Sequence, residues 1–390
     1  MQLRSIRIGI LAAMVAVLGL CGPASAQFFG GMGSWSNPPV NQREFDMMVK
    51  MLGFDEVQEE IAADMFGVLQ SEFGDMAEVA REMSEGARSE FERSRDPAVW
   101  RELGERLSKF EDKREELGEQ FWGDVKILLT DEQLPLWDKF ERRRFRGRAI
   151  SRQEQVLSGV GVDLVVLVEE MEFSPEEEEV LPEVIEQYEV ELDRKLRAYR
   201  RVADEQQAAA EEIGREGNWM QNMDKYNEIF ATVRDELLQV RAIHERYLKT
   251  IASRLDEESA AELMDRFNRA AYPDIYRDTY VDNGIKQALE LDSLTPDQRE
   301  FVVALKEGFE RESNRLREVL VRTQREREEN MRLQDMWGGQ RNTETREAQN
   351  QLREFQLRMY DELLKVLTDE QKAGLPERPA TDWRERSFDF

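Results

Sequence analysis

The sequence predicts an all-α protein built from three tandem, long antiparallel helical-hairpin units, extended or cradle-like in arrangement. Three observations predict this class. One helix-start motif recurs along the chain. The stretches between its copies hold few glycines or prolines. The returning half of each stretch carries a single apolar seam on otherwise charged faces. Steps of three and four between apolar residues are the signature of a packed helix.

The motif is clearest at Leu129-Thr130-Asp131-Glu132-Gln133. Thr130 is suited to N-cap a helix. Gln133 at N3 is suited to reach back to the cap's own N–H, making a capping box. Leu129 and Leu134 hold the two positions of a hydrophobic staple. The same words return at Leu367, Thr368 and Gln371. They return again at Leu294, Thr295 and Gln298, with Pro296 at N1, where a missing N–H costs no helical bond. Relaxed to an apolar residue, a Ser, Thr or Asp cap, two spacers and usually Gln or Glu, the motif gives six copies, from Phe54, Leu129, Phe173, Leu255, Leu294 and Leu367. The separations are 75, 44, 82, 39 and 73 residues, so long and short intervals alternate. The odd copies recur after 119 and 121 residues, which marks an internal repeat.

In chain order, residues 1–26 read as a secretory leader. Arg4 and Arg7 precede an apolar run from Ile8 to Leu20, and Ala24-Ser25-Ala26 is a small-residue cleavage site. The run is short for a membrane span. Cys21 lies where a lipoprotein leader places its cysteine, but Leu20 is bulky where that processing wants a small residue. Residues 27–42, rich in Gly, Ser, Pro and Asn, read as a flexible tether. Repeat units follow at 43–150, 151–280 and 281–377, then a polar tail at 378–390 holding Trp383 and Phe388 to Phe390. Each long interval is broken once, at Asp96-Pro97, at Gly214 to Asn218 and at Gly338-Gly339 with Asn342. Each unit is therefore expected to be a hairpin of two helices, the first of about 40 residues and about 60 Å. Val162 to Val168 is the one run with strand character. Its place before a cap, shared with Met47 to Leu52 and Ile285 to Leu289, reads as a buried helix. The returning seams run Leu103, Leu107, Phe110, Arg114, Leu117, Phe121; then Tyr226, Phe230, Val233, Leu237, Val240, His244, Tyr247, Ile251; then Leu352, Phe355, Met359, Leu363, Val366.

Composition narrows the chemistry. The chain carries a formal charge of −27, and loss of the leader's two arginines takes it to −29. Such a field disfavours nucleic acid and anionic membrane surfaces. Cys21 is the sole cysteine, so cleavage after Ala26 leaves no thiol for a disulfide, a nucleophile or a metal. His244 is the sole histidine, which removes most routes to zinc or to a Ser-His triad. No glycine-rich phosphate loop or nucleophile elbow appears, and an enzyme is not expected. No cofactor is expected either.

His244 lies on a seam, where a satisfied hydrogen bond is the expectation against a metal ligand. Glu176 to Glu179 open a helix, where acids favour the dipole, rather than forming a shaped calcium loop. Arg142 to Arg148 form a basic island that reads as a helix C-terminus with Gly147 as its stop, or as a site for an anionic partner. Near the hairpin tips stand Trp100, Trp219 and Trp337 with Met220, Met223, Met331 and Met336. These are either plugs or an adaptable contact surface for a partner.

An all-helical chain with a leader and three full copies of this motif resembles the LTxxQ family, the Spy/CpxP-type periplasmic proteins. The full matches are Leu129, Thr130, Gln133; Leu294, Thr295, Gln298; and Leu367, Thr368, Gln371. The resemblance covers roughly residues 43–377, and two motifs enclose one hairpin in that family. It implies a periplasmic, non-enzymatic protein that binds other proteins, including ATP-independent envelope-stress chaperones and metal-responsive regulators. The chain departs from the pattern in carrying three units in tandem and in its strong negative charge. Protein clients or envelope proteins are the expected partners, with no integral span after leader cleavage. An elongated envelope scaffold and a metal sensor are the alternatives.

Overall fold

The computed structural model describes residues 37–96, 98–151, 157–215, 221–335 and 343–377. The expected leader lies outside them, as do most of the expected tether, the expected tail, and Trp219, Met220, Met336 and Trp337. The described residues form helices and no strand. In chain order these are α1 (Gln42–Leu52), α2 (Glu56–Ser94), α3 (Ala98–Ile127), α4 (Leu134–Ser151), α5 (Leu164–Glu169), α6 (Pro175–Arg215) and α7 (Met223–Ala252). Then come α8 (Glu257–Ala271), α9 (Pro273–Tyr276), α10 (Tyr280–Leu289), α11 (Pro296–Glu329), α12 (Thr343–Val366) and α13 (Asp369–Lys372). No helix among them is long and apolar enough to cross a membrane. Contacts gather the chain into two compact units, Met1–Ala260 and Ala261–Phe390.

In the first unit α2 packs on α3, and α6 on α7. The pairing is antiparallel, because contact partners converge in number. Phe66 meets Phe121, Phe73 meets Phe110 and Phe91 meets Trp100, with ring centroids 6.1, 6.5 and 5.5 Å apart. Asp55 starts α2 with a complete capping box to Gln58. The turn between α2 and α3 falls at the expected break. Arg95 adopts a left-handed φ of 54° and its N–H closes on the Phe91 carbonyl. The Asp96 carboxylate then accepts the Ala98 N–H at 2.9 Å. An aromatic core fills the other end: Phe45 stacks on Phe66 at 4.7 Å, and Trp122 meets Phe121, Trp137 and Phe140. Each such ring stabilises by about 1.5–3 kcal/mol through burial alone.

The last residues of the expected tether belong to this core. Val40 is fully buried among Phe45, Phe66 and Trp122. Gln70 Nε2 donates to the Val40 carbonyl at 3.0 Å, and Arg114 donates to the Asn37 carbonyl. A Cβ on Gly118 would stand 3.0 Å from Pro39 Cβ, so glycine permits this close seating. From Asn37 onward the expected tether is therefore held in place, and α1 opens at Gln42 on a complete Asn41–Glu44 box.

Within the run Val162 to Val168 the expected helix forms from Leu164 as α5, with Leu164 and Val165 buried and Val166, Leu167 and Val168 half-buried. Gly147 is not a stop: α4 continues to Ser151. The reason is in its neighbours. Arg146 is buried against Asp163 and Glu189, and Arg148 is tied to Glu44 and to the Pro39 carbonyl. These anchors hold the helix through a residue that costs only about 1 kcal/mol relative to alanine.

In the second unit α11 packs antiparallel on α12, with Phe309 stacked on Phe355 at 5.8 Å and Arg322 paired with Glu344 at 2.8 Å. Short α10 lies against both. A Cβ on Gly284 would stand 2.5 Å from Tyr360 Cε2, so only glycine lets α10 approach α12 this closely. The break expected at Gly338-Gly339 with Asn342 lies outside the described residues; α11 ends before it, at Glu329, with Asn330 as its cap.

Candidate functional site: the clasped hairpin ends

The residues singled out by the repeat converge in space, by a bond the local reading of the motif does not contain. Each Gln at N3 uses its carbonyl oxygen on its own cap, and its amide nitrogen on the other end of the hairpin. Gln58 Oε1 accepts the Asp55 N–H, and Gln133 Oε1 accepts the Thr130 N–H. Gln58 Nε2 then donates to Gln133 Oε1 and to the Leu128 carbonyl, both at 2.8 Å. Gln133 Nε2 donates to Gln58 Oε1 at 3.0 Å and to the Gly53 carbonyl at 3.3 Å. The second unit repeats the arrangement. Gln298 Nε2 donates to Gln371 Oε1 at 3.1 Å and to the Val366 carbonyl at 2.6 Å, and Gln371 Nε2 reaches the Ser293 carbonyl at 2.9 Å. Gln133 and Gln371 are buried, so each carbonyl they satisfy would otherwise be costly. Capping alone does not account for these glutamines; they clasp the two ends of a hairpin together.

The motif's other residues divide by position. Leu367 is buried, Leu129 and Leu294 are half-buried against their cores, and Thr295 and Thr368 form complete boxes on exposed caps. Thr130 departs from expectation. Gln133 N–H bonds the Thr130 carbonyl at 3.0 Å in a tight turn, and α4 starts only at Leu134. Leu134, the second half of the expected staple, is exposed.

The α6/α7 hairpin closes with different atoms. Glu177 replaces the opening glutamine and Ser259 the closing one. The Glu177 carboxylate accepts the Ser174 N–H and hydroxyl at 2.9 Å and, across the hairpin, the Asp256 N–H at 3.0 Å. The Asp256 and Ser174 N–H groups hold its pKa down at about 2. One signal for this was in the sequence: within a hairpin the two N3 residues change together, Gln with Gln and Glu with Ser.

Inside that hairpin His244 is fully buried and hydrogen-bonded, Nδ1 to Tyr188 Oη at 2.8 Å and Nε2 to the Val160 carbonyl at 3.2 Å. Burial lowers its pKa to about 4, with the Asp163 charge working the other way. A neutral ring donating from Nε2 and accepting at Nδ1 satisfies both partners. Beside it Arg146 donates to Asp163 at 2.8 Å and to Glu189 at 2.6 Å. Burial opposes its charge, but the two carboxylates outweigh that and keep it protonated. Three more arginines of the basic island are engaged as well. Arg143 pairs with Glu169, Arg144 lies 4.6 Å from the Trp122 ring and Arg148 holds Glu44. The island joins elements of its own chain. Among the described residues no group of three or more His, Cys, Asp or Glu side chains is placed to hold a metal.

At the tips, Met331 is buried, Trp100 is half-buried against Phe91, and Met223 is half-buried at the start of α7. The exposed apolar side chains lie elsewhere. Val57, Ile61, Ile127, Leu134 and Leu136 are exposed, all within a few residues of Gln58 or Gln133 and so at the clasped end of the first hairpin. Sequence reasoning passed over them because a valine or leucine at a helix start reads as core. Comparison with protein-family models gave no match, and comparisons with curated proteins and with solved structures gave none either.

Proposed function

We propose that this chain is a non-enzymatic, exported helical protein that binds other proteins, in the manner of an ATP-independent envelope chaperone. One observation carries the reading. Six residues after the opening cap of every hairpin stands an exposed apolar side chain, Ile61, Val180 and Phe301, at 41%, 37% and 39% exposure. The repeat thus keeps a large apolar group in water three times, at the end that its clasp fixes, on helices whose other outer positions are mostly charged. Apolar contact points framed by charge suit transient capture of unfolded chains without loss of solubility. The resemblance of the leader and the three full motifs to LTxxQ proteins supports the same reading.

The test is suppression of aggregation. An unfolded client protein is diluted into buffer with an equimolar amount of the purified chain, without nucleotide. Reduced light scattering is expected, and a triple variant Ile61→Ser/Val180→Ser/Phe301→Ser is expected to lose most of the effect. Unchanged aggregation with the wild-type chain would remove the reading. A scaffold is the second reading, favoured by the clasps themselves, which tie hairpin ends as a rod requires. It expects an extended particle in small-angle scattering together with no effect on the client.

A further inference from the structure

We infer that the outer face of α2 is a docking strip for a cationic amphipathic helix of another protein. The inference rests on the protein-binding reading above and specifies the class of partner for one surface.

Four exposed apolar residues lie on α2: Val57, Ile61, Val68 and Val79, at 64%, 41%, 58% and 54% exposure. Their spacings are four, seven and eleven residues. At about 100° per residue these steps bring all four within about 40° of one direction. The buried residues of the same helix, Ala62, Phe66, Leu69, Phe73 and Ala80, point about 120° away from that direction. So α2 has two apolar stripes, and one is spent on the hairpin. The outer stripe spans Val57 to Val79, which is about 33 Å of helix at 1.5 Å per residue. Spacings of whole helical turns match the ridge of another helix laid along it.

Charge selects the occupant. From Glu56 to Ala80 the helix carries seven acids, Glu56, Glu59, Glu60, Asp64, Glu72, Asp75 and Glu78, and no lysine or arginine. Asp64, Glu72 and Asp75 are exposed and stand along the stripe. A second copy would set these carboxylates against their own kind, and an anionic lipid surface would be repelled for the same reason. A helix with an apolar ridge and flanking lysines or arginines buries the stripe and neutralises the acids together.

The probe is a fluorescent synthetic peptide of leucine and lysine with leucines on one helical face. Controls are its scramble, which has the same composition and no apolar face, and a leucine–glutamate analogue. Anisotropy is measured with the full chain at two salt concentrations. Binding is expected for the amphipathic cationic peptide, at least tenfold weaker for its scramble and absent for the acidic analogue. Val68→Ser/Val79→Ser should weaken it at least tenfold, with the circular dichroism melt unchanged because both sites are exposed. Val190→Ser, at an exposed apolar site on α6, should leave it unchanged. Asp64→Asn/Glu72→Gln/Asp75→Asn should weaken it and flatten the salt dependence. If the scramble binds as tightly, or the valine variant binds like wild type, attraction is bulk charge alone and the strip is overturned. Self-association of the wild type that the valine variant abolishes would overturn it in favour of a second copy. Client aggregation, measured on the same samples, separates the two failures. Suppression that survives while peptide binding ignores the valines sinks only the strip.

Discussion

The α6/α7 hairpin and the α11/α12 hairpin close the same kind of end with different chemistry. In α11/α12 two amides meet, Gln298 and Gln371, and the interior behind them is apolar, from Val302 through Phe309 to Tyr360 and Leu363. In α6/α7 a carboxylate, Glu177, takes three donors, and the interior behind it holds a histidine, a tyrosine, an arginine and a glutamate. Amides do not titrate, so the first kind of closure is indifferent to acid. A carboxylate clasp and a buried neutral imidazole both lose to protonation. The repeat has kept its geometry while giving one hairpin a titratable closure and another a closure made of amides.

The largest way to break this contrast is Arg146→Met. It leaves Asp163 and Glu189 facing each other with their shared cation gone. A cost of about 3–5 kcal/mol is expected for removing one side of a buried ion cluster. Urea unfolding, followed by hydrogen exchange in α6 and α7, checks it.

The pH dependence comes next. The folded pKa of His244, about 4, lies below its ordinary value of 6.5, so the unfolded chain binds the proton more readily. Stability is therefore full above about pH 6.5 and falls as pH drops toward about 4, by on the order of 3 kcal/mol. His244→Asn should flatten that window relative to wild type. A slope that persists in the variant would place the acid sensitivity elsewhere.

Gly284→Ala tests the opposite kind of interior, where packing alone decides. The added methyl meets the Tyr360 ring, and a loss of about 1–3 kcal/mol from overpacking is expected in thermal melts. Gln371→Ala should cost about 1–3 kcal/mol by orphaning the Ser293 carbonyl and one lobe of Gln298, with no change in pH dependence. The smallest effect belongs to Glu177→Gln. Glu177 is held at about 2 by its N–H donors, below an ordinary 4.5, so it adds stability above about pH 4.5 that disappears on the way down to about 2. The variant should lose that low-pH slope, making α6/α7 behave more like α11/α12. If the slope difference is absent, the carboxylate closure is not what distinguishes the two.

What could be read from the sequence was local. Caps such as Asp55, Thr295 and Thr368 act within three residues, and the turn at Asp96 follows from one side chain and one backbone angle. The all-α class and the buried helix near Val165 came from periodicity and position in the same way. What escaped was non-local. The second bond of each glutamine reaches a residue 75 or 73 positions away, and nothing in five letters announces it. Gly147 read as a stop because its neighbours' partners, Asp163, Glu189 and Glu44, lie 17 to 104 residues from Arg146 or Arg148. Exposed Val57 and Ile61 escaped because hydrophobicity says that a side chain would gain from burial, not that a partner within the chain supplies it.

The clasp also has a kinetic meaning. Contacts near a hairpin tip close small loops and form early, whereas joining Gln58 to Gln133 encloses the whole hairpin and carries the larger loop entropy. The bond that ties the ends is then expected to form after the transition state and to break before it in reverse. A hairpin with its open end tied frays from that end only when both amides let go together. Loosening the clasp would leave the folding rate almost unchanged and shorten the lifetime of the folded hairpin. The paired glutamines would thus set how long the two hairpins that carry them persist, more than how fast they are built.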